Sequence, residues 1–210
     1  MLMKAGGRIM SAAEYEESLR DYSPTVYVDG DLVESVVDEP RLKPGVRAIG
    51  VTYDFAQRPE YGGLMLADQA TSGKTVNRML HINRHSEDLL SKLEAVRLLC
   101  RESGCAQRYL THDALNAIYQ ATWQMSEDQG GEQHERFLAY LHRIQDEDLT
   151  LGVAMTDGKG DRSKRPGDQQ NIDSYVHITD RRAEGIVISG AKAIVTGGPY
   201  MHELLVMPCR

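Results

Sequence analysis

The sequence predicts an α+β chain, helical through its first two-thirds and strand-rich toward its end. Three observations predict it. Apolar residues recur at spacings of three and four between Tyr15 and Ile144, the period of an amphipathic helix. From Tyr175 onward the apolar runs become short, rich in β-branched residues and interrupted by glycine, as strands are. Between the two regions lies AMTDGKGDR, residues 154–162, which fits neither period.

The 210 residues are 41% hydrophobic and 26% charged, with a net charge of −7. That is the composition of a globular protein with room for one large or two small domains. The negative balance argues against nucleic acid or an anionic membrane as the main partner. No apolar run approaches the length of a membrane span. The N-terminal MLMKAGGRIM is too short and too weakly apolar for a secretory signal. Cys100, Cys105 and Cys209 do not make a disulfide framework. The expected compartment is therefore the cytoplasm, with reduced thiols.

Taken in order, residues 1–10 read as a disordered leader. Ser11 followed by Glu14 is a capping box, opening a helix along Tyr15, Leu19 and Tyr22 that Pro24 closes. Residues 26–33 predict a β-hairpin with Asp29-Gly30 as its turn. Pro40, Pro44 and Gly45 predict an irregular connection. A helix from Arg47 should end before Pro59. Ser72-Gly73-Lys74-Thr75 invites comparison with a phosphate loop. That pattern requires a glycine where Asp68 stands, and the comparison fails.

Ser86 is the expected cap of the next helix, with Glu87 and Asp88 at its positive end. Its apolar stripe is Leu89, Leu90, Leu93, Val96 and Leu99, and Gly104 marks its end. A further helix from Asp113 presents Leu115, Ile118, Tyr119, Thr122 and Trp123. Gly130-Gly131 separates it from another, with Phe137, Leu138, Leu141 and Ile144 in line. These stripes read as core rather than cofactor contacts. Residues 163–170 are polar and expected to be exposed. Strands are expected at 175–179, 185–190, 191–195 and 203–207, forming an antiparallel sheet or barrel. The division is thus a mostly helical domain over 11–150 and a partial β domain over 151–210. A four-strand piece leaves an edge and a bare face, so the chain reads as the front part of a longer protein.

The stretch 154–162 holds the chemistry-bearing letters. Gly158 and Gly160 permit close backbone approach and expose N–H groups to an anion. Lys159 and Arg162 add positive charge for a phosphate. On spacing alone, a solvated loop between two domains explains it more simply.

Six segments in order carry more information than any one. They are AEYEESLRD, VTYDFAQRPEY, GKTVNR, DALNAIYQATW, AMTDGKGDR and GIVISGAKAIVTG. Together they resemble the 4-hydroxyphenylacetate 3-hydroxylase family, and most closely its 4-hydroxybutyryl-CoA dehydratase branch. The resemblance implies an acyl-CoA-dehydrogenase-like build: a helical N-terminal domain, a β-barrel-like middle domain and a C-terminal helical bundle, the last missing here. It implies FAD as cofactor and a homotetramer in full-length form. Residues 1–210 alone are then not expected to hold FAD tightly. By the resemblance, Met155, Thr156, Asp157, Lys159, Gly160, Asp161 and Arg162 line the flavin site and Thr196 contacts the flavin ring.

The branch is read from other positions. Aromatic hydroxylases of the family carry arginine, tyrosine and histidine where this chain has Leu110, Ala114 and Val153. The dehydratase branch carries C-x-x-x-C, two ligands of a [4Fe–4S] cluster, with a glutamine between them. Here the stretch is Cys105-Ala106-Gln107-Arg108-Tyr109. Gln107 is the candidate catalytic residue and Cys105 the one candidate metal ligand. Tyr109 stands in place of the second cysteine and is not a usual cluster ligand. The implied function is dehydratase-like chemistry on an acyl-CoA. The alternatives are a reduced-flavin aromatic hydroxylase of a phenolic substrate, served by a separate flavin reductase, and a non-catalytic remnant.

Overall fold

The computed structural model describes residues 7–105, 108–158 and 160–208. Helix α1 (Ala12–Ser18) opens on the expected capping box. Glu14 N–H donates to Ser11 Oγ at 3.2 Å and Ser11 N–H to Glu14 Oε2 at 2.8 Å. Strands β1 (Val26–Val28) and β2 (Asp31–Val33) form the expected hairpin. Its turn residues Asp29 and Gly30 have φ of 53° and 91°, the left-handed pair that a two-residue hairpin turn needs.

Helix α2 (Lys43–Gln57) begins before Arg47, where it was expected. Pro44 lies in its first turn, where a missing N–H leaves no bond unmade. The short α3 (Gly62–Met65) leads into a second hairpin, β3 (Leu66–Asp68) with β4 (Thr75–Asn77). Ser72-Gly73-Lys74 is simply its turn, and Lys74 Nζ pairs with Asp146 at 2.5 Å.

Helix α4 (Ser86–Ser103) departs from the sequence reading in two ways. Its cap is His85, not Ser86: Asp88 Oδ2 accepts Arg84 N–H at 2.9 Å and His85 N–H at 3.2 Å. Its inward face is Lys92, Ala95 and Leu99, whereas Leu89, Leu90 and Leu93 are 48%, 61% and 47% exposed. Lys92 takes an inward position because its ammonium meets Asp113 at 2.7 Å while its stem packs. Gly104, at φ 71°, ends the helix as expected. Helices α5 (Arg108–Gln129) and α6 (Gln133–Asp146) form an antiparallel pair around Leu115, Phe137, Leu141 and Ile144.

The strand-rich end differs most from expectation. A strand the periodicity missed, β5 (Leu151–Ala154), pairs in parallel with the last strand, β8 (Glu203–Val206). Between them in sequence, β6 (His177–Arg182) and β7 (Gly185–Ser189) make a hairpin. The strand expected at 191–195 is reduced to one bridge, Asp157 opposite Lys192. Ile194 sits at φ 56° and cannot continue an extended run. Among the described residues the strands form four two-stranded ladders and no closed barrel.

Residues after 150 contribute to the core of the helical part. Tyr200 and Met201 pack with Tyr15, Ile49 and Tyr53. Residues 7–10, expected in a disordered leader, are also tied down. Gly7 N–H donates to Thr75 O at 3.1 Å, Arg8 N–H to Asp146 O at 3.2 Å, and Met10 is 1% exposed. The center of this ties-and-packing arrangement is a fully buried ion pair, Arg108 with Asp148 at 2.9 Å. Asp148 also accepts Met10 N–H at 3.1 Å, and the Arg108 guanidinium lies 4.3 Å over the Tyr53 ring.

Buried His202 links α1 to the sheet. Its Nδ1 accepts Thr150 N–H at 2.8 Å and its Nε2 meets Ser18 Oγ at 2.8 Å. Burial pushes its pKa down to about 4. The unfolded chain binds that proton near pH 6.5. The contribution of neutral His202 is therefore complete above pH 6.5 and is lost as pH falls toward 4. The slope is at most about 1.4 kcal/mol per pH unit. Urea unfolding measured from pH 7 to 4 should show a steeper acid loss for the wild type than for His202→Gln. Equal slopes would exclude this origin.

Candidate functional site

The site begins where β5 leaves the core. Thr111 Oγ1 of α5 donates to Leu151 O, and Leu151, Gly152 and Ala154 are buried between α5 and β8. A Cβ on Gly152 would lie 2.6 Å from Leu204 Cδ2, so the close strand pairing favours glycine there. The next residues emerge: Met155 is 60% exposed and Thr156 is exposed as well.

The emerging segment is clasped to residues 192–193. Ala193 N–H donates to Thr156 O at 2.8 Å. Lys192 Nζ donates to Asp157 Oδ1 at 2.6 Å and to Met155 O at 3.2 Å. The Lys192 side chain is only 7% exposed and that of Asp157 23%. The Asp157 carboxylate thus already has an internal cation as partner. Sequence reasoning missed Lys192, because nothing in a strand-like run marks one lysine as a clasp.

The glycines are required by packing inside the loop itself. A Cβ on Gly158 would come 2.7 Å from Ser174 O. One on Gly160 would strike the Gln169 side chain and meet the Tyr175 ring. Asp161 closes the following turn: it accepts Ser163 Oγ–H at 2.6 Å and Ser163 N–H at 3.0 Å. Those hydrogen bonds from Ser163 hold its carboxyl below the usual range. Its own N–H donates to Gln169 Oε1 at 2.8 Å. Arg162 is exposed and, among the described residues, has no hydrogen-bond or ion-pair partner. Thr196 is exposed in the turn that Gly198 N–H closes onto Val195 O at 3.0 Å. Met155, Thr156 and Asp157 are therefore clasped to the segment that carries Thr196, with Arg162 a free cation further along the loop. Lys159 and Gln107 lie outside the described residues.

The metal-ligand reading finds less support in the geometry. Cys105 is half-buried between α4 and α5, where its carbonyl accepts Ser103 Oγ–H at 2.6 Å. Tyr109 is 37% exposed and its ring centroid is 5.8 Å from Lys92 Nζ. Cys100 is exposed on α4. Among the described residues no three His, Cys, Asp or Glu side chains are grouped to hold a metal ion. The described residues do not supply the ligand set of a [4Fe–4S] cluster. No described helix is long and apolar enough to cross a membrane.

A family model described as the 4-hydroxyphenylacetate 3-hydroxylase N terminal matches residues 11–210. The 4-hydroxybutyryl-CoA dehydratase/vinylacetyl-CoA-Δ-isomerase of Clostridium aminobutyricum is 38% identical over 95% of this chain and 41% of its own length. The oxygenase component of 4-hydroxyphenylacetate 3-monooxygenase from Thermus thermophilus is 28% identical over 94% of this chain and 40% of its own. Among solved structures, an oxygen-tolerant archaeal 4-hydroxybutyryl-CoA dehydratase from N. maritimus superposes with a TM-score of 0.90. It is 40% identical, covering 96% of this chain and 40% of that one. An oxygenase component of 4-hydroxyphenylacetate 3-monooxygenase, complexed with FAD and 4-hydroxyphenylacetate, superposes at 0.78 with 26% identity, covering 95% and 41%. The chain spans about two-fifths of the length of the curated relatives it matches. With the match running from Ser11 to the last residue, the chain belongs to the 4-hydroxyphenylacetate 3-hydroxylase family, whose N-terminal region it carries.

Proposed function

We propose that this chain is the N-terminal part of a cytoplasmic, FAD-dependent enzyme that acts on an acyl-CoA in the manner of 4-hydroxybutyryl-CoA dehydratase. Residues 11–150 form its helical domain. Residues 151–210 open a β-barrel-like domain that carries the flavin loop, within an acyl-CoA-dehydrogenase-like homotetramer. The observation that carries this reading is the clasp of 155–157 onto 192–193. It brings two segments together, one bearing outward Met155 and Thr156 and the other Thr196, with Arg162 left without an internal partner.

These residues fit the flavin. Arg162 and Lys159 would offset pyrophosphate charge, and Thr196 would offer its hydroxyl to the ring. Asp157 and Asp161 act differently: their carboxylates shape the loop through Lys192 and Ser163. Bound FAD would supply the electron transfer. The acyl-CoA branch is favoured over a phenolic substrate because Leu110, Ala114 and Val153 cannot donate to a phenolate. Gln107 is the candidate catalytic residue. Cys105 with Tyr109 does not supply the thiolate set of an iron–sulfur cluster.

The test is FAD titration by fluorescence quenching on a chain carrying the full length of its relatives. Losing one charge-assisted hydrogen bond costs roughly 1.5–3 kcal/mol, so Arg162→Ala should weaken FAD about ten- to a hundredfold. If 154–162 is a plain linker, the dissociation constant stays within a factor of two.

A further inference from the structure

One side chain organises the segment that follows the clasp. Residues 161–165 are exposed and Gln169 is half-buried. Backbone groups on a surface loop ordinarily turn to water. Here four of them turn inward to a single amide. Gln169 Oε1 accepts Asp161 N–H at 2.8 Å. Its Nε2 donates to Asp161 O at 2.9 Å and to Lys164 O and Arg165 O at 3.3 Å each. Two N–H hydrogens serve three carbonyls, so one hydrogen is shared. The amide cannot sit the other way round: a flip would set its NH2 against the Asp161 N–H and its oxygen against three carbonyls.

The rest of the loop is cut to fit this amide. A Cβ on Gly160 would overlap it. The turns at 161–164 and 165–168 are closed by Lys164 N–H on Asp161 O and by Asp168 N–H on Arg165 O, at 3.1 and 3.0 Å. Both turns use carbonyls that Gln169 also holds. Residues 161–165 take no part in the hydrophobic core, so the clamp adds nothing to packing. What it fixes is the direction in which Arg162 leaves the loop. Arg162 sits between Asp161, held through both its N–H and its carbonyl, and Ser163, whose N–H and Oγ–H are bonded to the Asp161 carboxylate. Its guanidinium has no partner among the described residues.

We infer that Gln169 is a positioning residue for the cofactor: by gathering residues 161, 164 and 165 around one amide, it sets Arg162 in the orientation in which it meets the FAD pyrophosphate. The inference rests on the flavin reading of the loop and adds to it a residue that lies outside 154–162. Gln169 acts through Arg162 and not on the ligand, because its amide is already fully engaged inside the loop. An arginine on a slack loop loses backbone and side-chain freedom when it binds, and that loss subtracts from affinity. On a loop already held, the freedom is given up at folding.

The experiment is a double-mutant cycle on a chain carrying the full length of its relatives, with FAD affinity read by fluorescence quenching. Gln169→Met keeps the bulk of the side chain and removes all four bonds. It should weaken FAD about tenfold. On the 210-residue chain the Asp161 N–H should exchange faster in this variant, while amides of α5 and α6 keep their protection. In an Arg162→Ala background the same substitution should change FAD affinity by less than about twofold, because the two residues act as one unit. Gln169→Glu supplies a pH profile that a mere filler of the loop would not give. Its affinity relative to wild type should rise as pH falls from about 7.5 to 5, when the carboxyl gains a proton to donate to the carbonyls. If Gln169→Met leaves FAD affinity unchanged, if its loss adds to that of Arg162→Ala, or if the Gln169→Glu ratio is flat with pH, the inference is overturned and the flavin reading stands. If Arg162→Ala itself leaves FAD affinity unchanged, the flavin reading fails and the inference fails with it.

Discussion

Asp148→Ala is expected to remove about 3–5 kcal/mol of folding stability, measured by urea unfolding at neutral pH. Asp148 and Arg108 are both 0% exposed in their side chains and meet at 2.9 Å. Truncating the carboxylate strands a guanidinium where no water reaches it. It also leaves Met10 N–H without its acceptor, and so loosens the segment that leads into α1. Part of the loss comes from the backbone. Asp148 holds φ 50°, a conformation that aspartate and asparagine adopt more readily than alanine.

Asp148→Asn separates the two effects, since it keeps the backbone preference and an acceptor but removes the charge. It should still be strongly destabilising, because Arg108 remains unpaired. Combining Asp148→Asn with Arg108→Met should recover part of that loss, because neither charge is then left alone. A loss below about 1 kcal/mol for Asp148→Ala would show that the buried pair contributes little beyond its own desolvation.

That pair illustrates which parts of the fold the sequence could disclose. Ser11 with Glu14, Asp29 with Gly30, and Gly104 act within a few residues of themselves, and all three formed the predicted cap or turn. The stripe expected on α4 holds at Leu99 and Val96, which pack on the core, and fails at its first three leucines. In the fold, Lys92 turns in to meet Asp113 on α5, leaving Leu89, Leu90 and Leu93 outward. The parallel pairing of β5 with β8 joins Leu151 to Glu203, a separation at which local periodicity carries no information. The family-like letters single out residues 154–162 but carry no sign of which charges already have partners inside the fold. Asp157 and Arg162 read alike as ligand contacts, yet the partner of Asp157 is Lys192, in another segment. No sequence signal announces that an isoleucine will be left-handed.

Lys192→Met should weaken FAD about a hundredfold in a chain carrying the full length of its relatives, although Lys192 is nearly buried and is not a candidate pyrophosphate contact. Its ammonium makes two bonds at once, to the Asp157 carboxylate and to Met155 O. Methionine keeps the stem and removes both. A partly buried carboxylate is then left unpaired, a cost of roughly 1–3 kcal/mol that the loop relieves by swinging Asp157 out to water. Once 155–157 detaches from 192–193, Thr156 and Thr196 no longer share a frame, and on the proposed flavin reading of this loop the cofactor loses preorganised contacts on both segments. Amide exchange on the 210-residue chain reads the detachment directly. The Ala193 N–H, bonded to Thr156 O at 2.8 Å, should exchange much faster in Lys192→Met than in wild type, while amides of α5 and α6 stay protected. Lys192→Arg should retain most of the protection, since a guanidinium reaches both acceptors. The exchanged pair, Lys192→Asp with Asp157→Lys, should restore part of it. Unchanged exchange at Ala193, together with FAD affinity within a factor of two, would reduce Lys192 to an ordinary lysine and leave the two segments held by backbone bonds alone.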